Sequence, residues 1–228
     1  MSYISIAIDG PAGAGKSTIA KSLAARHGWL YVDTGAIYRT VGLYTLRHGI
    51  DPKDADAVKG ILPELDIQMQ VEGDGVQHMY LDGEDVTSDI RTPEISMYAS
   101  AVSAHAAVRS YLLEMQRSLA RTRNVVMDGR DIGTVVLPHA SVKIFLTASA
   151  EIRARRRWLE QQQKGNDQPF EAVLADVIQR DEQDTHRAVA PLRQAEDAVL
   201  ADTSNLNLEE SVDLLDSIIK ERVTGWTK

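Results

Sequence analysis

An eight-residue segment near the N-terminus, GPAGAGKS at residues 10–17, constrains the fold of this chain more than any other feature. It fits the pattern G-x-x-x-x-G-K-[ST] at every fixed position, with an apolar run before it at residues 4–8 and a helical pattern after it at residues 16–27. Glycines in such a loop let backbone N–H groups turn toward phosphate oxygens, and the helix N-terminus adds a favourable dipole. The sequence therefore predicts a phosphate-binding loop joining the first strand to the first helix.

Two side chains of this loop have a predicted chemical role. Lys16 supplies a point charge for a transferring phosphoryl group, and Ser17 can ligate Mg²⁺. The residues that we expect to contact a bound nucleotide are Gly10, Pro11, Ala12, Gly13, Ala14, Gly15, Lys16, Ser17 and Thr18.

Five short apolar runs predict an α/β fold. They lie at residues 4–8, 30–32, 125–127, 142–146 and 198–201, and most are rich in β-branched residues, as in strands buried on both faces of a parallel sheet. Helical patterns at residues 16–27, 106–121 and 208–223 are interspersed with these runs. This order of elements is typical of a parallel sheet flanked by helices.

Residues 60–90 follow a different pattern. Apolar and polar residues alternate at 67–71, the segment 78–81 follows, and turns are predicted at Gly73-Asp74-Gly75 and Asp82-Gly83. This pattern predicts a small antiparallel insertion. Further along, residues 165–169 (GNDQP) interrupt two helical patterns and predict a mobile hinge.

Composition narrows the functional classes. The 228 residues suffice for one substantial core with a small inserted subdomain, and the net charge of −8 disfavours a polynucleotide partner. The absence of cysteine excludes disulfides, thiolate catalysis and cysteine-ligated zinc. There is no basic segment followed by a long apolar stretch at the N-terminus, and no apolar run approaches the ~20 residues that span a bilayer. We therefore expect a cytoplasmic enzyme with no membrane partner.

The loop by itself does not identify the class of phosphate-binding protein. A GTPase would carry Asn-Lys-x-Asp and Asp-x-x-Gly, and neither pattern occurs in the chain. A motor or helicase would be larger and would bind a polymer. The residues therefore favour a small-molecule kinase, although a non-catalytic nucleotide-dependent regulator stays open as an alternative.

Two further aspartate-led segments follow predicted strands, DTGAIYR at residues 33–39 and DGRD at residues 128–131. Arg39 can hold a phosphate in bidentate fashion, but for this segment taken alone a helix N-cap at Thr34 beside a surface arginine is the better interpretation. Asp128 could orient Mg²⁺ through water or could cap the core. Because ligands of open α/β sheets bind outside the carboxyl ends of the strands, we expect both segments to lie near the phosphate loop.

Arginines concentrate in the C-terminal half of the chain. Four of them lie within residues 151–157, where a solvated helix face is an equally good interpretation. Arg180, Asp184 and Arg187 are spaced i, i+4 and i+7, so a helix would present them on one face. The order Arg before Asp is the weaker one for stabilising a helix, so an ion-pair ladder explains this row poorly.

The segments IDGPAGAGKST, DTGAIYR, DGRDIGTVV, VKIFLTAS and RDEQDTHRAVAPL, with the short β insertion, spread over residues 8–192. Together they resemble the bacterial cytidylate kinases of the nucleoside monophosphate kinase group. The resemblance implies a P-loop kinase fold with a five-stranded parallel sheet flanked by helices, a small antiparallel β insertion in the acceptor-binding region and a helical lid. It implies one kinase domain, with a core at 1–35, 95–150 and 188–228, an acceptor-binding region at 36–94 and a lid at 151–187.

The activity implied by the resemblance is ATP-dependent, Mg²⁺-assisted phosphorylation of CMP and of dCMP. Nothing in the sequence demands more than a monomer, so we expect one. Another small-molecule kinase, acting on UMP or a different acceptor, remains the alternative. The implied catalytic residues are Lys16, Arg130, Arg156, Arg157, Arg180 and Arg187. The implied metal-binding residues are Ser17 and Asp128.

The resemblance also implies which residues bind the acceptor. The family's usual serine is threonine at position 34, which keeps the hydroxyl and adds a methyl group. An aspartate can accept from the cytosine amine, whereas uracil presents an acceptor there, so we expect CMP to be preferred over UMP. By role, the implied residues are Ser100, Arg109 and Asp131 for the base, Arg39, Arg130 and Arg187 for the phosphate, Asp184 with Arg180 nearby for the sugar, and Thr34 and Tyr38 for the pocket.

Overall fold

A computed structural model describes residues 3–71, 77–163 and 165–223. Its main sheet has five strands in the order β2-β6-β1-β7-β8, and β1 pairs in parallel with both β6 and β7. The α/β prediction is therefore confirmed, and each strand begins and ends within two residues of its apolar run. The strands of this sheet are β1 (Ser5–Asp9), β2 (Leu30–Asp33), β6 (Val125–Gly129), β7 (Val142–Thr147) and β8 (Val199–Asp202).

The helices of the described residues include all three predicted from periodicity. The first begins directly at Lys16 of the phosphate loop and ends at Gly28, whose left-handed backbone caps it. A π-type turn at Ile132–Val136, which the sequence did not predict, follows β6. The helices are α1 (Lys16–His27), α2 (Thr34–Arg47), α3 (Ala55–Ile61), α4 (Pro93–Val102), α5 (Ala106–Thr122), α6 (Ala150–Gln163), α7 (Phe170–His186) and α8 (Leu208–Arg222).

The chain divides into two compact units, residues 1–31 with 120–228, and residues 32–119. In the first unit, β1 and β7 contribute Ile6, Ile8 and Ile144 to a core that α1 and α8 cover with aliphatic side chains. Nearly every residue of β1 and β7 is buried, which explains why their sequences are continuous apolar runs and do not alternate between apolar and polar residues.

The second unit has a core of its own, to which α2, α4 and the insertion contribute. The insertion is an antiparallel sheet of β3 (Ile67–Val71), β4 (Gln77–Leu81) and β5 (Glu84–Asp85), in the order β3-β4-β5, as predicted. The turn predicted at Gly73-Asp74-Gly75 lies outside the described residues. Asp82, in the second predicted turn, has a left-handed φ of 51°.

Helices α6 and α7 pack on each other around a small separate core. Ala154 of α6 is buried against Val173 and Val177 of α7, and Trp158 meets Phe170 edge to face at 6.3 Å between ring centroids. The segment between the two helices coincides with the predicted break at residues 165–169. None of the helices in the three described stretches is long and apolar enough to cross a membrane.

Candidate active site

The phosphate loop joins β1 to α1 in a conformation that only glycine accepts easily. Gly13 has a φ of 75°, and Gly10 has a φ of 152°. A Cβ at Gly10 would collide with the carbonyl oxygen of Leu146 on β7, so the loop backbone lies directly against that strand. The glycine at position 10, the first fixed position of the motif, thus has a local steric reason in this chain that is independent of any ligand.

Lys16, the first residue of α1, is buried, and its Nζ donates to the carbonyl oxygen of Pro11 at 2.8 Å. Burial, together with the nearby charge of Arg130, lowers the pKa of Lys16 to about 7, against the opposing charges of Asp128, Asp184 and Asp9. A buried ammonium that a backbone carbonyl solvates only in part is a favourable site for a negatively charged group such as a phosphate.

The hydroxyl of Ser17 donates to Oδ2 of Asp128 at 2.9 Å, and the Tyr31 hydroxyl donates to Oδ1 at 2.9 Å. The Asp128 carboxylate is buried at the end of β6. One hydroxyl and one carboxylate in contact fit Mg²⁺, which is usually held by one or two carboxylates and by substrate phosphates rather than by a full protein cage. Accordingly, the described residues contain no group of three or more acidic or histidine side chains that could enclose a metal by itself.

A second cluster surrounds Asp184 on α7. The Nε of Arg130 donates to Oδ2 of Asp184 at 2.7 Å. Burial would raise the pKa of Asp184, but the charges of Arg130, Arg180 and Arg187 outweigh it, so the pKa is lowered. Arg180 and Asp184 lie one turn apart on α7, as the sequence spacing predicts, whereas Arg187 lies just beyond the helix in extended backbone. Arg180, Arg187 and Arg130, which comes from the end of β6, surround this one buried carboxylate.

Asp131 is buried next to this cluster, and Nη2 of Arg187 approaches its Oδ1 at 3.4 Å. The π-type turn that follows Asp131 is anchored by Asp9, whose two carboxylate oxygens accept from the backbone N–H groups of Ile132 and Gly133, each at 2.7 Å. Burial raises the pKa of Asp9 to about 6 in spite of these two bonds. Asp9 directly precedes the phosphate loop, so one side chain ties that loop to the segment carrying Arg130 and Asp131.

In the second unit, Asp33 rather than Thr34 caps α2, and its Oδ1 accepts from the N–H of Ala36 at 2.9 Å. The other oxygen accepts from Arg39 at 2.7 Å and from Arg91 at 3.0 Å. Burial would raise the pKa of Asp33, yet the charges of these two arginines lower it. Nε of Arg39 is buried without a hydrogen-bond partner among the described residues.

The remaining predicted acceptor residues of the second unit lie on α2, α4 and α5. The Arg109 guanidinium lies 5.4 Å from the ring centroid of Tyr38 and donates to the Ser103 carbonyl at 3.2 Å, so it is buried and oriented. Thr34 is buried at the start of α2, and Ser100 is half-buried on α4. The structure thus brings Arg109 and Tyr38, two of the predicted acceptor residues, into contact.

The arginines of α6 differ from one another. Arg156 donates to the carbonyl of Thr203 at 2.8 Å, and burial lowers its pKa, while Arg157 is half-buried. Arg155 is exposed, and Arg153 is the most buried of the four. The solvated-face interpretation therefore holds for Arg155 only.

Sequence reasoning missed Arg91, Arg153 and Asp9 as parts of these clusters. Each acts on a residue far away in sequence: Arg91 on Asp33, Arg153 on Asp181, and Asp9 on Ile132. No motif or spacing connects such pairs. For Asp9 the one available signal was its position at the end of β1, immediately before the loop.

A phosphate loop between the first strand and helix of a five-stranded parallel sheet, with buried arginines beside it, defines a P-loop kinase fold. Residues 6–221 match the family model described as Cytidylate kinase. The chain therefore belongs to the cytidylate kinase family.

Curated relatives agree with this assignment over at least 92% of their own length. The chain is 54% identical to a cytidylate kinase of Caldicellulosiruptor bescii, with 92% of each chain covered. It is 50% identical to one of Geobacter sulfurreducens, covering 95% of this chain and 93% of the relative, and 45% identical to one of Halalkalibacterium halodurans, covering 98% and 100%. Among solved structures, a shikimate kinase from Bacteroides thetaiotaomicron is 17% identical with a TM-score of 0.48, covering 95% of this chain and 98% of that one, a likeness too low to add to the assignment.

Proposed function

We propose that this protein transfers the γ-phosphoryl group of ATP to CMP, and to dCMP, giving CDP or dCDP and ADP. The observation that carries the proposal is full-length similarity to relatives named cytidylate kinase, at 45–54% identity in the three compared above. The proposed location is the cytoplasm, and the proposed working form is a monomer.

The donor side of the proposal rests on the phosphate loop. The loop from Gly10 to Thr18 binds the ATP phosphates through backbone N–H groups, and Lys16 neutralises the transferring group. Ser17 and Asp128 hold Mg²⁺, since they supply a hydroxyl and a buried carboxylate in direct contact. When bound, Mg²⁺ neutralises charge that develops on the β- and γ-phosphate oxygens.

The acceptor side rests on three arginines and on the chemistry of cytosine. Arg39, Arg130 and Arg187 bind the CMP phosphate, each being held in the protein by a carboxylate partner that sets its orientation. Asp184, which Arg180 helps to keep ionised, accepts from a sugar hydroxyl. Thr34 and Tyr38 line the acceptor pocket.

Cytosine recognition is assigned to Asp131, Arg109 and Ser100. Asp131 accepts from the exocyclic amine of cytosine, and Arg109 donates to its ring and carbonyl acceptors. Uracil would present a carbonyl oxygen to the Asp131 carboxylate, so UMP is a poor acceptor because two buried acceptors would then face each other.

In the transfer step, a phosphate oxygen of CMP attacks the γ-phosphorus in line. The bond from that phosphorus to the β–γ bridging oxygen breaks, and the electron pair leaves with ADP. The acceptor oxygens are already ionised near neutral pH, so alignment and charge neutralisation suffice. Arg156 and Arg157 of α6 bring positive charge to the transferring group, and closure of the lid excludes water and so limits ATP hydrolysis.

A coupled ADP-release assay tests the proposal, with CMP, dCMP, UMP, AMP, GMP and shikimate offered in parallel. CMP and dCMP should give the highest kcat/KM. Faster turnover of UMP or of shikimate would identify a different small-molecule kinase, and ATP binding without acceptor-stimulated ADP release would identify a regulator. The variant Asp131→Asn should shift the ratio of CMP to UMP turnover toward UMP, because an amide can donate to the uracil oxygen.

A further inference from the structure

Arg153 on α6 is buried, and its guanidinium hydrogen-bonds to two backbone carbonyls and to one carboxylate. Its Nε donates to the carbonyl of Ala148 at 2.8 Å, and Nη1 donates to the carbonyl of Ala12, in the phosphate loop, at 3.1 Å. Both Nη atoms also donate to the carboxylate of Asp181 on α7, at 2.9 and 2.6 Å. The proposed function assigns no role to Arg153, because the lid arginines proposed to act on phosphate are Arg156 and Arg157.

The contact with Ala12 bears directly on the shape of the phosphate loop. In a trans peptide the carbonyl and the following N–H point in opposite directions. A carbonyl of Ala12 that faces Arg153 therefore makes the N–H of Gly13 point away from Arg153, and the loop binds phosphate through such N–H groups. A Cβ at Gly13 would lie 3.3 Å from Cβ of Arg153, so α6 packs against the loop at this same peptide.

The contact with Asp181 links the same guanidinium to the second helix of the lid. Helices α6 and α7 pack on each other around a small core of their own. Arg153, near the start of α6, connects this helix pair to the phosphate loop through Ala12. The pair is largely desolvated, with side-chain exposures of 5% for Arg153 and 25% for Asp181. The two parallel hydrogen bonds from Arg153 to the Asp181 carboxylate, called the fork below, fix the plane of the guanidinium group. The orientation of that plane determines the position at which Nη1 donates to the Ala12 carbonyl.

We propose that Arg153 is a positioning residue that holds the Ala12–Gly13 peptide in its phosphate-binding orientation and couples it to α6 and α7 through Asp181. The proposal extends the proposed function, since it takes ATP as the nucleotide of the loop. It predicts that loss of the fork weakens ATP binding even when no acceptor is present.

The test compares Arg153→Lys with Arg155→Lys, the same change at an exposed arginine of the same helix. Lysine keeps the charge beside Asp181 but cannot reach Asp181, Ala12 and Ala148 together. Binding of N-methylanthraniloyl-ATP, measured by fluorescence without CMP, should weaken about tenfold in Arg153→Lys, the size expected for losing one hydrogen bond made by a charged group. Arg155→Lys should bind as the wild type does.

Steady-state kinetics and urea unfolding separate positioning from general stability. Arg153→Lys should raise the KM for ATP and change the KM for CMP less than about twofold. Equal rises in both constants, or unchanged binding of the fluorescent nucleotide, would overturn the proposal. If Arg153→Lys does not fold, Asp181→Asn decides, because it removes the fork charge and keeps the shape; a folded Asp181→Asn with wild-type nucleotide affinity would also overturn it.

The binding readout keeps this inference distinct from the proposed function. A wild-type protein that binds the fluorescent ATP but does not phosphorylate CMP would refute the proposed acceptor. The comparison of Arg153→Lys with Arg155→Lys would still support or refute the role of Arg153 in that case.

Discussion

Gly35 lies in the first turn of α2, where its missing side chain leaves room for the Arg39 guanidinium. A Cβ built at Gly35 would lie 2.9 Å from Nη1 of Arg39 and 3.1 Å from Oδ1 of Asp33. Asp33 is held in place by the N–H of Ala36, whereas the end of Arg39 is flexible. We therefore expect Gly35→Ala to displace the guanidinium and to leave the backbone unchanged.

The two consequences of Gly35→Ala have opposite signs. Replacing glycine by alanine within a helix stabilises it by up to about 1 kcal/mol. Weakening the hydrogen bond of Arg39 to Asp33 costs about 1.5–3 kcal/mol at most, and Arg91 still donates to the same carboxylate oxygen. The free energy of unfolding should thus change by no more than about 2 kcal/mol. The KM for CMP should rise about tenfold or more, because the arginine that we propose binds the CMP phosphate would be displaced.

Urea unfolding and initial rates at saturating ATP measure these two effects separately. Gly60→Ala is a matched control, since Gly60 lies in α3 and nothing lies within 4 Å of a Cβ built there. The control should gain stability and keep the wild-type KM for CMP. A wild-type KM for CMP in Gly35→Ala would refute the argument that Arg39 needs this space to bind phosphate.

Three further predictions concern the first unit. Lys16→Ala should abolish phosphoryl transfer and leave the circular dichroism spectrum of the fold intact, and wild-type turnover would refute its role. Arg187→Ala should raise the KM for CMP and lower kcat, because it removes a guanidinium near both Asp131 and Asp184; unchanged kinetics would exclude it from the site. Burial raises the pKa of Asp9 to about 6, so the unfolded chain releases this proton first and the free energy of unfolding falls as the pH rises from about 4 to 6. In urea unfolding experiments, the free energy of unfolding of Asp9→Asn should fall less than that of the wild type over this pH range. The same pH dependence of the free energy of unfolding in the variant and in the wild type would contradict the prediction.

The strands and the phosphate loop could be predicted because their signals are local. Burial on both faces requires continuous apolar residues in β1 and β7, and the turn into α1 requires glycines at particular backbone angles. The antiparallel insertion was predictable for the same reason, since alternation within five residues specifies a half-buried strand. The placement of Arg180 and Asp184 one turn apart on α7 also follows from helical spacing, but Arg187 lies just beyond the end of the helix.

Local spacing gave the wrong N-cap for α2, which is Asp33 and not Thr34. Both side chains are good caps, and the choice depends on where the strand before them ends. Asp33 is both the last residue of β2 and the cap of α2, so the helix begins at Thr34, one residue earlier than a cap at Thr34 would allow. A one-residue boundary of this kind depends on sheet pairing, which no short window of sequence contains.

The amino-acid sequence by itself determined that this chain has a phosphate loop on a parallel sheet, because that motif encodes its own backbone geometry. Tertiary structure alone decided which charges meet. Asp33 meets Arg91, Asp9 meets the turn at Ile132, and Arg153 meets both Ala12 and Asp181. The physical reason is that burying a charge is costly unless the charge is paired or hydrogen-bonded. Any group that the fold brings within hydrogen-bonding distance can be the partner, however far away it lies in the sequence.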